Sequence, residues 1–509
     1  MKKPVYPACI LAISIFLFFQ SLVAKSVSFQ TAQQVALQKL TEFTPLSEVT
    51  LESSAEIHRT QAAVLGYVFF LKPHGYIVVA ADTRIRPVIA HSISSDFGEM
   101  SAADNPLLQI LITDLENRLE NAAHLSPEIF EKHRQQWEQC LNSRLSKANG
   151  SAFEQWPPPG TTTTGGWLKT QWNQDDPYNR NYPLDAYSLE KEQQQRRSVA
   201  GCPAIAMAQI LNYFQTINHT RFDDQDDYID ATYRSQGVQY CIDDDWERLD
   251  FPSFPQLNAQ LEMMELRLEN RRLLNTADRA ALIFACGIAA KQVYTVQVSG
   301  TYNVRQAHNA YLRFGFTNAR LYPTGTPDSV LFPHLSQNMK DARPAHLAIV
   351  TPQWDAGHNL VVDGYNTNEE YHLNFGWKGL YDGWYALPDA SIPGYAFKLI
   401  EGVIVDIHTL LETGIEPIQN TRVMNYTLDN YPNPFNPVTT IEYTLPCADQ
   451  VVLHVYDLLG SEIIKLVEGP HSAGKYRLPF HAHNLPSGIY FYRLTSGDFT
   501  ATKRMLLLK

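Results

Sequence analysis

Residues 201–214 read Gly-Cys-Pro-Ala-Ile-Ala-Met-Ala-Gln-Ile-Leu-Asn-Tyr-Phe, and few folds can accommodate them. Pro203 suits the first turn of a helix, where a missing N–H costs nothing. Met207, Ile210, Leu211 and Phe214 recur at three- and four-residue spacing, which predicts a helix with one face buried. Cys202 enters that helix. The positive end of the helix dipole favours thiolate over thiol, and thiolate is the nucleophile. Two readings stay open on this stretch alone: a nucleophile, or a buried structural cysteine of the kind free thiols commonly become.

A helix this apolar needs a large core, and the chain can supply one. It has 509 residues, 44% of them hydrophobic, so about three domains are expected. The net charge of −12 argues against a nucleic-acid partner. The six cysteines are scattered, with no CxxC pair, so neither a zinc site nor a disulfide scaffold is indicated. No metal and no cofactor is expected.

The chain opens with Lys2 and Lys3, an apolar run over 8–19 and a small residue at Ala24. Residues 1–24 therefore read as a secretory signal peptide. The run is short for a bilayer span, and no later stretch is apolar enough for one, so no stable membrane span is expected once the signal is removed. Residues 25–150 read as a small α+β unit. It has a helix over 31–40, strands over 66–71 and 75–81 around the turn Lys72-Pro73-His74, and mainly helix over 107–144. Its place between signal and Cys202 suggests a pro-segment. Residues 151–166 carry Pro157-Pro158-Pro159, four threonines and Gly165-Gly166, the composition of a linker and a natural activation cut site. The second domain spans 167–410. Asp223, Asp224, Asp226, Asp227 and the run 243–245 lie in it; solvated loops explain them better than calcium, because no EF-hand pattern is present. Residues 280–290 predict a buried helix with Cys286 in the core. A second linker spans 411–424. Residues 425–509 alternate with period two between turn residues, as a β-sandwich does.

A nucleophilic Cys202 needs a histidine from elsewhere. Among 16 histidines, His358 has the most suggestive setting. Residues 357–365 and 370–377 predict two strands of a hairpin around Asn366. With Asn366 at the apex, Asn374 faces His358 across the pair, where an amide could hold the imidazole tautomer. The separation from Cys202 is roughly that of papain-like nucleophile and base. A strand-edge histidine with a structural hydrogen bond remains the other reading.

Three blocks carry a family resemblance: Trp172-Asn173-Gln174-Asp175-Asp176-Pro177-Tyr178-Asn179; residues 201–209; and Gly357-His358 through Asp363-Gly364 to Asn374-Phe375-Gly376-Trp377, followed by Asp382-Gly383-Trp384-Tyr385. Together they resemble the streptopain family of cysteine peptidases, which are papain-like in fold. The resemblance implies that Cys202 is the nucleophile and that His358 is first base, then acid. It implies that Gln174 joins the Cys202 N–H in an oxyanion hole, with Gln171 as the local alternative. Asn374 becomes the third catalytic member. Gly357, Trp377 and, on a looser match, Ser299 line the substrate cleft. Phe375 stands where the family usually has tryptophan, and Pro203 where it usually has an aliphatic residue. Residues 66–69 and 75–89 resemble the family's inhibitory pro-segment. Asn430-Tyr431-Pro432-Asn433-Pro434-Phe435-Asn436-Pro437, with the end Lys503-Arg504-Met505-Leu506-Leu507-Leu508-Lys509, resembles the C-terminal sorting domain of type IX secretion, which takes cargo across the bacterial outer membrane.

The expected architecture is α+β: a papain-like peptidase domain preceded by an α+β pro-segment and followed by an immunoglobulin-like β-sandwich. The expected function is a secreted or surface cysteine endopeptidase made as a zymogen. Its partners would be protein or peptide substrates, its own pro-segment as intramolecular inhibitor, and the type IX machinery. The alternatives are an amidase or acyl transferase on the same site, and a non-catalytic adhesion protein.

Overall fold

A computed structural model describes residues 26–42, 49–59, 63–101, 105–142, 153–232, 235–270, 272–350, 357–387, 400–408, 426–446, 449–471, 474–482, 485–497 and 499–508. The predicted signal peptide, Cys9, the whole of the second linker and Cys447 lie outside the described residues. The chain forms two compact units. One holds residues up to 405 apart from 217–220 and 308–320, and the other holds those two segments and residues from 406 onward.

The first unit begins with helix α1 (Phe29–Glu42) and an antiparallel meander of β1 (Thr50–Arg59), β2 (Ala63–Lys72), β3 (Tyr76–Ala80) and β4 (Val88–Ser92). Strands β3 and β4 are buried at every position, which is why they read as unbroken apolar runs rather than alternating ones. The helical stretch predicted over 107–144 is two helices, α2 (Pro106–Asn121) and α3 (Pro127–Leu141). Each starts on a cap and a proline: the Asn105 side chain accepts from the Leu108 N–H, and Ser126 from Ile129.

The sheet does not end at β4. Ala90 and His91 pair with Tyr385 and Trp384 of β8 (Gly383–Tyr385). Beyond β8 lie β7 (Tyr371–Asn374), β6 (Gly357–Asn366), β5 (Ala345–Val350) and β9 (Ile400–Val405), all antiparallel. The order β1-β2-β3-β4-β8-β7-β6-β5-β9 thus joins the predicted pro-segment to the second domain edge to edge. One apolar core runs beneath both, from Ile77, Ile89 and Leu111 to Leu347, Phe375 and Ile400.

Helix α4 (Cys202–Phe214) is buried from Pro203 to Leu211. It packs on β6 and on α5 (Thr276–Ala289), whose Cys286 is fully buried, as the sequence predicts. Cys140, Cys202, Cys241 and Cys286 are not joined in disulfides. The predicted linker is not a loose tether throughout. Gln155 and Trp156 pair with Asn366 and Tyr365 of β6, and Trp156 stacks on Tyr365. Its exposed residues are Phe153, Glu154, Pro159, Gly160, Thr161 and Thr163. No helix among the described residues is long and apolar enough to cross a membrane.

In the second unit, residues 426–508 form two antiparallel sheets around one core. One sheet has β10 (Thr427–Tyr431), β11 (Val438–Leu445) and β14 (Gly474–His481). The other has β13 (Glu462–His471), β12 (Asp449–Tyr456), β15 (Gly488–Ser496) and β16 (Phe499–Leu507). Strand β11 alternates buried and half-buried residues along its whole length. The opening asparagines tie this domain shut. Asn430 accepts from the Tyr492 hydroxyl at 3.0 Å. Asn433 accepts from the Leu506 N–H at 2.9 Å and donates to the Arg504 carbonyl at 3.0 Å.

Candidate active site

Cys202 is the first residue of α4, preceded by Gly201 at φ 62°. A Cβ at Gly201 would lie 2.7 Å from Gln292 Nε2 and 2.8 Å from the Ser299 carbonyl, so both conformation and space demand glycine there. The Ala200 N–H donates to the Gln174 carbonyl at 2.9 Å, which holds half-buried Gln174 beside the entry to α4. Gln171 is exposed and lies against Gly379.

His358 sits near the start of β6, buried. Its Nε2 is 2.8 Å from the Phe375 carbonyl. A carbonyl only accepts, so Nε2 carries the hydrogen and Nδ1 is the ring's acceptor. The ring stacks on Trp377 with centroids 4.1 Å apart. Burial pushes the imidazole down to about 4; the Phe375 carbonyl opposes this, and neighbouring His346 adds to it. The ring is therefore neutral at neutral pH.

Side chains alternate along β6, and the two faces differ. His358 and Leu360 look into a cavity of about 330 Å³. Ile89, Pro106, Ile110 and Thr113 of the predicted pro-segment form one wall; Leu347, Ile349, Phe375 and Trp377 form the other. Gly357 lies at its rim, and Cys202 is not among its walls. Asn359 looks the other way: its Nδ2 is 3.9 Å from Cys202 Sγ, and its Oδ1 is 2.7 Å from His346 Nε2.

The pairing of Asn374 with His358 is corrected. The hairpin turns over 366–370, with Tyr365 opposite Tyr371, so its apex lies beyond Asn366 and Asn374 falls opposite Val361. The Asn374 amide is engaged elsewhere: Oδ1 accepts from Gln209 Nε2 at 2.9 Å and from the Gly376 N–H, and Nδ2 donates to the Thr170 carbonyl. It braces β7 against α4, and the Phe375 carbonyl orients His358 instead. Ser299 is likewise spent locally. It is buried, and its hydroxyl bonds both the Thr295 N–H and the Thr295 carbonyl, leaving its backbone against Gly201.

Two features escape a sequence reading. Asn359 stands beside the base on the alternate face of its strand, a neighbourhood that strand period alone could have flagged. Buried Asp382 accepts from the Phe375 N–H at 2.9 Å, and burial raises its carboxyl to about 7. The aspartate runs make turn bonds: Gln225 N–H to Asp223, Cys241 N–H to Asp245, and Asp243 N–H to Asp227.

Comparison with known families decides the identity of the three parts. The Peptidase C10 family model matches residues 172–385, which contain Gln174, Cys202, His358 and Asn374. This region is a cysteine peptidase of the C10, or streptopain, family. The Spi protease inhibitor model matches residues 24–119, and the secretion system C-terminal sorting domain model matches 429–508. Two solved structures from Prevotella intermedia are similar. A fragment of prointerpain A is 21% identical, with a TM-score of 0.44, covering 70% of this chain and 98% of that one. The active wild-type interpain A cysteine protease is 23% identical, with a TM-score of 0.34, covering 48% and 94%. No curated protein sequence matches the chain. The C10 peptidase here thus carries its inhibitor domain on the same polypeptide, joined through the β4–β8 pairing.

Proposed function

We propose that this chain is a secreted cysteine endopeptidase made as a zymogen, with Cys202 as nucleophile, His358 as base and then acid, and Gln174 with the Cys202 N–H as oxyanion donors. The thiolate attacks the scissile carbonyl, and the C–N bond breaks as His358 protonates the amine. Water then hydrolyses the thioester with His358 as base. Trp377 acts as the wall on which the imidazole rests, and Gly357 as an open edge of the cleft. The observation that carries the zymogen reading is the cavity at His358, roofed by the inhibitor domain's α2. An imidazole buried there is kept neutral and turned from the thiol's face of β6. Release of the pro-segment, residues 25–150, by a cut in the 151–166 linker would open that cavity to substrate and water. Export by the signal peptide and delivery to the surface or medium by the sorting domain complete the reading.

The test compares the wild-type chain with Cys202→Ala in reductant, following intact mass and cleavage of unfolded casein. Wild type should shed the inhibitor domain and cut casein, and Cys202→Ala should do neither. Casein cleavage by Cys202→Ala would end this assignment.

A further inference from the structure

On the face of β6 opposite His358, three side chains line up. Asn359 Nδ2 approaches Cys202 Sγ at 3.9 Å, the outer reach of an N–H···S contact. Asn359 Oδ1 receives His346 Nε2 at 2.7 Å. His346, one strand over on β5, is completely buried. Burial pushes its imidazole down to about 4, so it is neutral and has one N–H to give. An amide oxygen only accepts, so that N–H is on Nε2. In this arrangement the Asn359 amide turns its oxygen toward His346 and its N–H toward sulfur. The reverse orientation would aim an oxygen at a thiolate and repel it.

We propose that Asn359 is a donor to the Cys202 sulfur and that His346 is the positioning residue that holds it in that orientation. This rests on the reading of Cys202 as nucleophile. A neutral donor of this kind differs in effect from His358. It stabilises the thiolate without needing a protonated imidazole, so the sulfur keeps an anion-stabilising partner while His358 is held neutral in the covered cavity. His346 acts on the sulfur through Asn359.

The experiment measures alkylation of Cys202 by iodoacetamide against pH on the full chain as purified, resolved from the other cysteines by peptide mass. Asn359→Ala should move the alkylation midpoint upward by about one unit, which is about a ten-fold slower reaction on the acid side. The rate at alkaline pH, where every thiol is ionised, should not change. Asn359→Asp should move the midpoint further, because a carboxylate faces the sulfur. His346→Gln, whose amide N–H can still reach Asn359 Oδ1, should keep the wild-type midpoint, and His346→Phe should behave like Asn359→Ala. If His346→Phe fails to fold, the two Asn359 variants decide. An unchanged midpoint in Asn359→Ala overturns the proposal and leaves the nucleophile assignment standing. Failure of that assignment shows separately, as casein cleavage retained by Cys202→Ala.

Discussion

Removing a single lysine should unlatch the inhibitor domain. Lys39 on α1 is buried, and its Nζ lies 3.1 Å and 3.3 Å from the two carboxylate oxygens of Glu370, in the β6–β7 turn of the peptidase. Glu370 also receives His91 Nε2 from β4 at 3.2 Å and Asn366 Nδ2 at 2.9 Å. Lys39 holds the Glu370 carboxyl well below the usual carboxylate range, with His91 assisting against the cost of burial. Two unit charges 3.1 Å apart attract by about 5 kcal/mol at an effective dielectric of about 20. Desolvation offsets much of that while the pair is intact. When one partner is removed, the other charge is left buried and uncompensated, at about 3–5 kcal/mol. Lys39→Met should therefore raise the undocked population of the inhibitor domain roughly a hundred- to five-thousand-fold. Lys39→Met with Glu370→Gln should cost less than Lys39→Met alone, because no buried orphan charge remains; Glu42, which also pairs with Lys39 at 3.0 Å, is exposed to solvent.

The assay uses a Cys202→Ala background, so that no self-cleavage intervenes, and reads amide hydrogen exchange in α1 and β4. Lys72→Met is the control: Lys72 is exposed and 4.0 Å from Glu52, so its loss should change nothing measurable. Unchanged exchange in α1 and β4 after Lys39→Met would refute the argument that this buried pair holds the two domains together.

Acid should loosen the same contact through His358. Its imidazole is lowered from an ordinary 6.5 to about 4 in the covered state, so its contribution to docking is present above 6.5 and is lost as pH falls from there toward 4. His358→Phe should flatten that part of the pH dependence of exchange in α2, and an equal slope would argue against it. Gly201→Ala should cost at least about 1–3 kcal/mol, since it places a side chain at positive φ against Gln292 and the Ser299 carbonyl; the thermal midpoint should drop and casein cleavage be lost. Trp377→Ala should raise exchange in α2 in the Cys202→Ala background, because the ring packs on His358 at 4.1 Å inside the cavity that α2 covers; unchanged exchange would mean the indole does not support the covered state.

What the sequence makes legible follows burial. Strands β2 and β3 announce themselves because they are apolar runs between turn residues, and α4 because its spacing leaves one face for the core. Strand β1 does not: Thr50–Arg59 is mostly polar and exposed, an edge strand whose pairing with β2 supplies what its composition lacks. The join of β4 to β8 is equally silent. Backbone pairing between segments almost three hundred residues apart leaves no periodicity behind, although both strands are individually readable.

The site residues were harder than the fold for a reason of register. A hairpin's facing pairs depend on where the chain turns, and moving the apex by a residue or two changes every pair along both strands. Asn366 looks like a turn residue, and it is one, but it opens the turn rather than crowning it. Its carbonyl takes the Glu369 N–H, and its own N–H reaches the Glu370 carbonyl. A bulge between Val362 and Gly364 then shifts the pairs further out. The result puts an aromatic, not an amide, against His358. The imidazole's orientation is fixed by the Phe375 carbonyl, whose own N–H is held by Asp382, so tautomer control passes from a side chain to backbone braced by a buried carboxyl. That arrangement leaves the face of β6 toward Cys202 to Asn359. Strand alternation allows one residue of the His358–Asn359 pair to face the thiol at a time, so the Cys202–His358 pairing proposed above requires His358 to leave its cavity. Anything that keeps α2 seated over that cavity, Lys39 included, opposes the move.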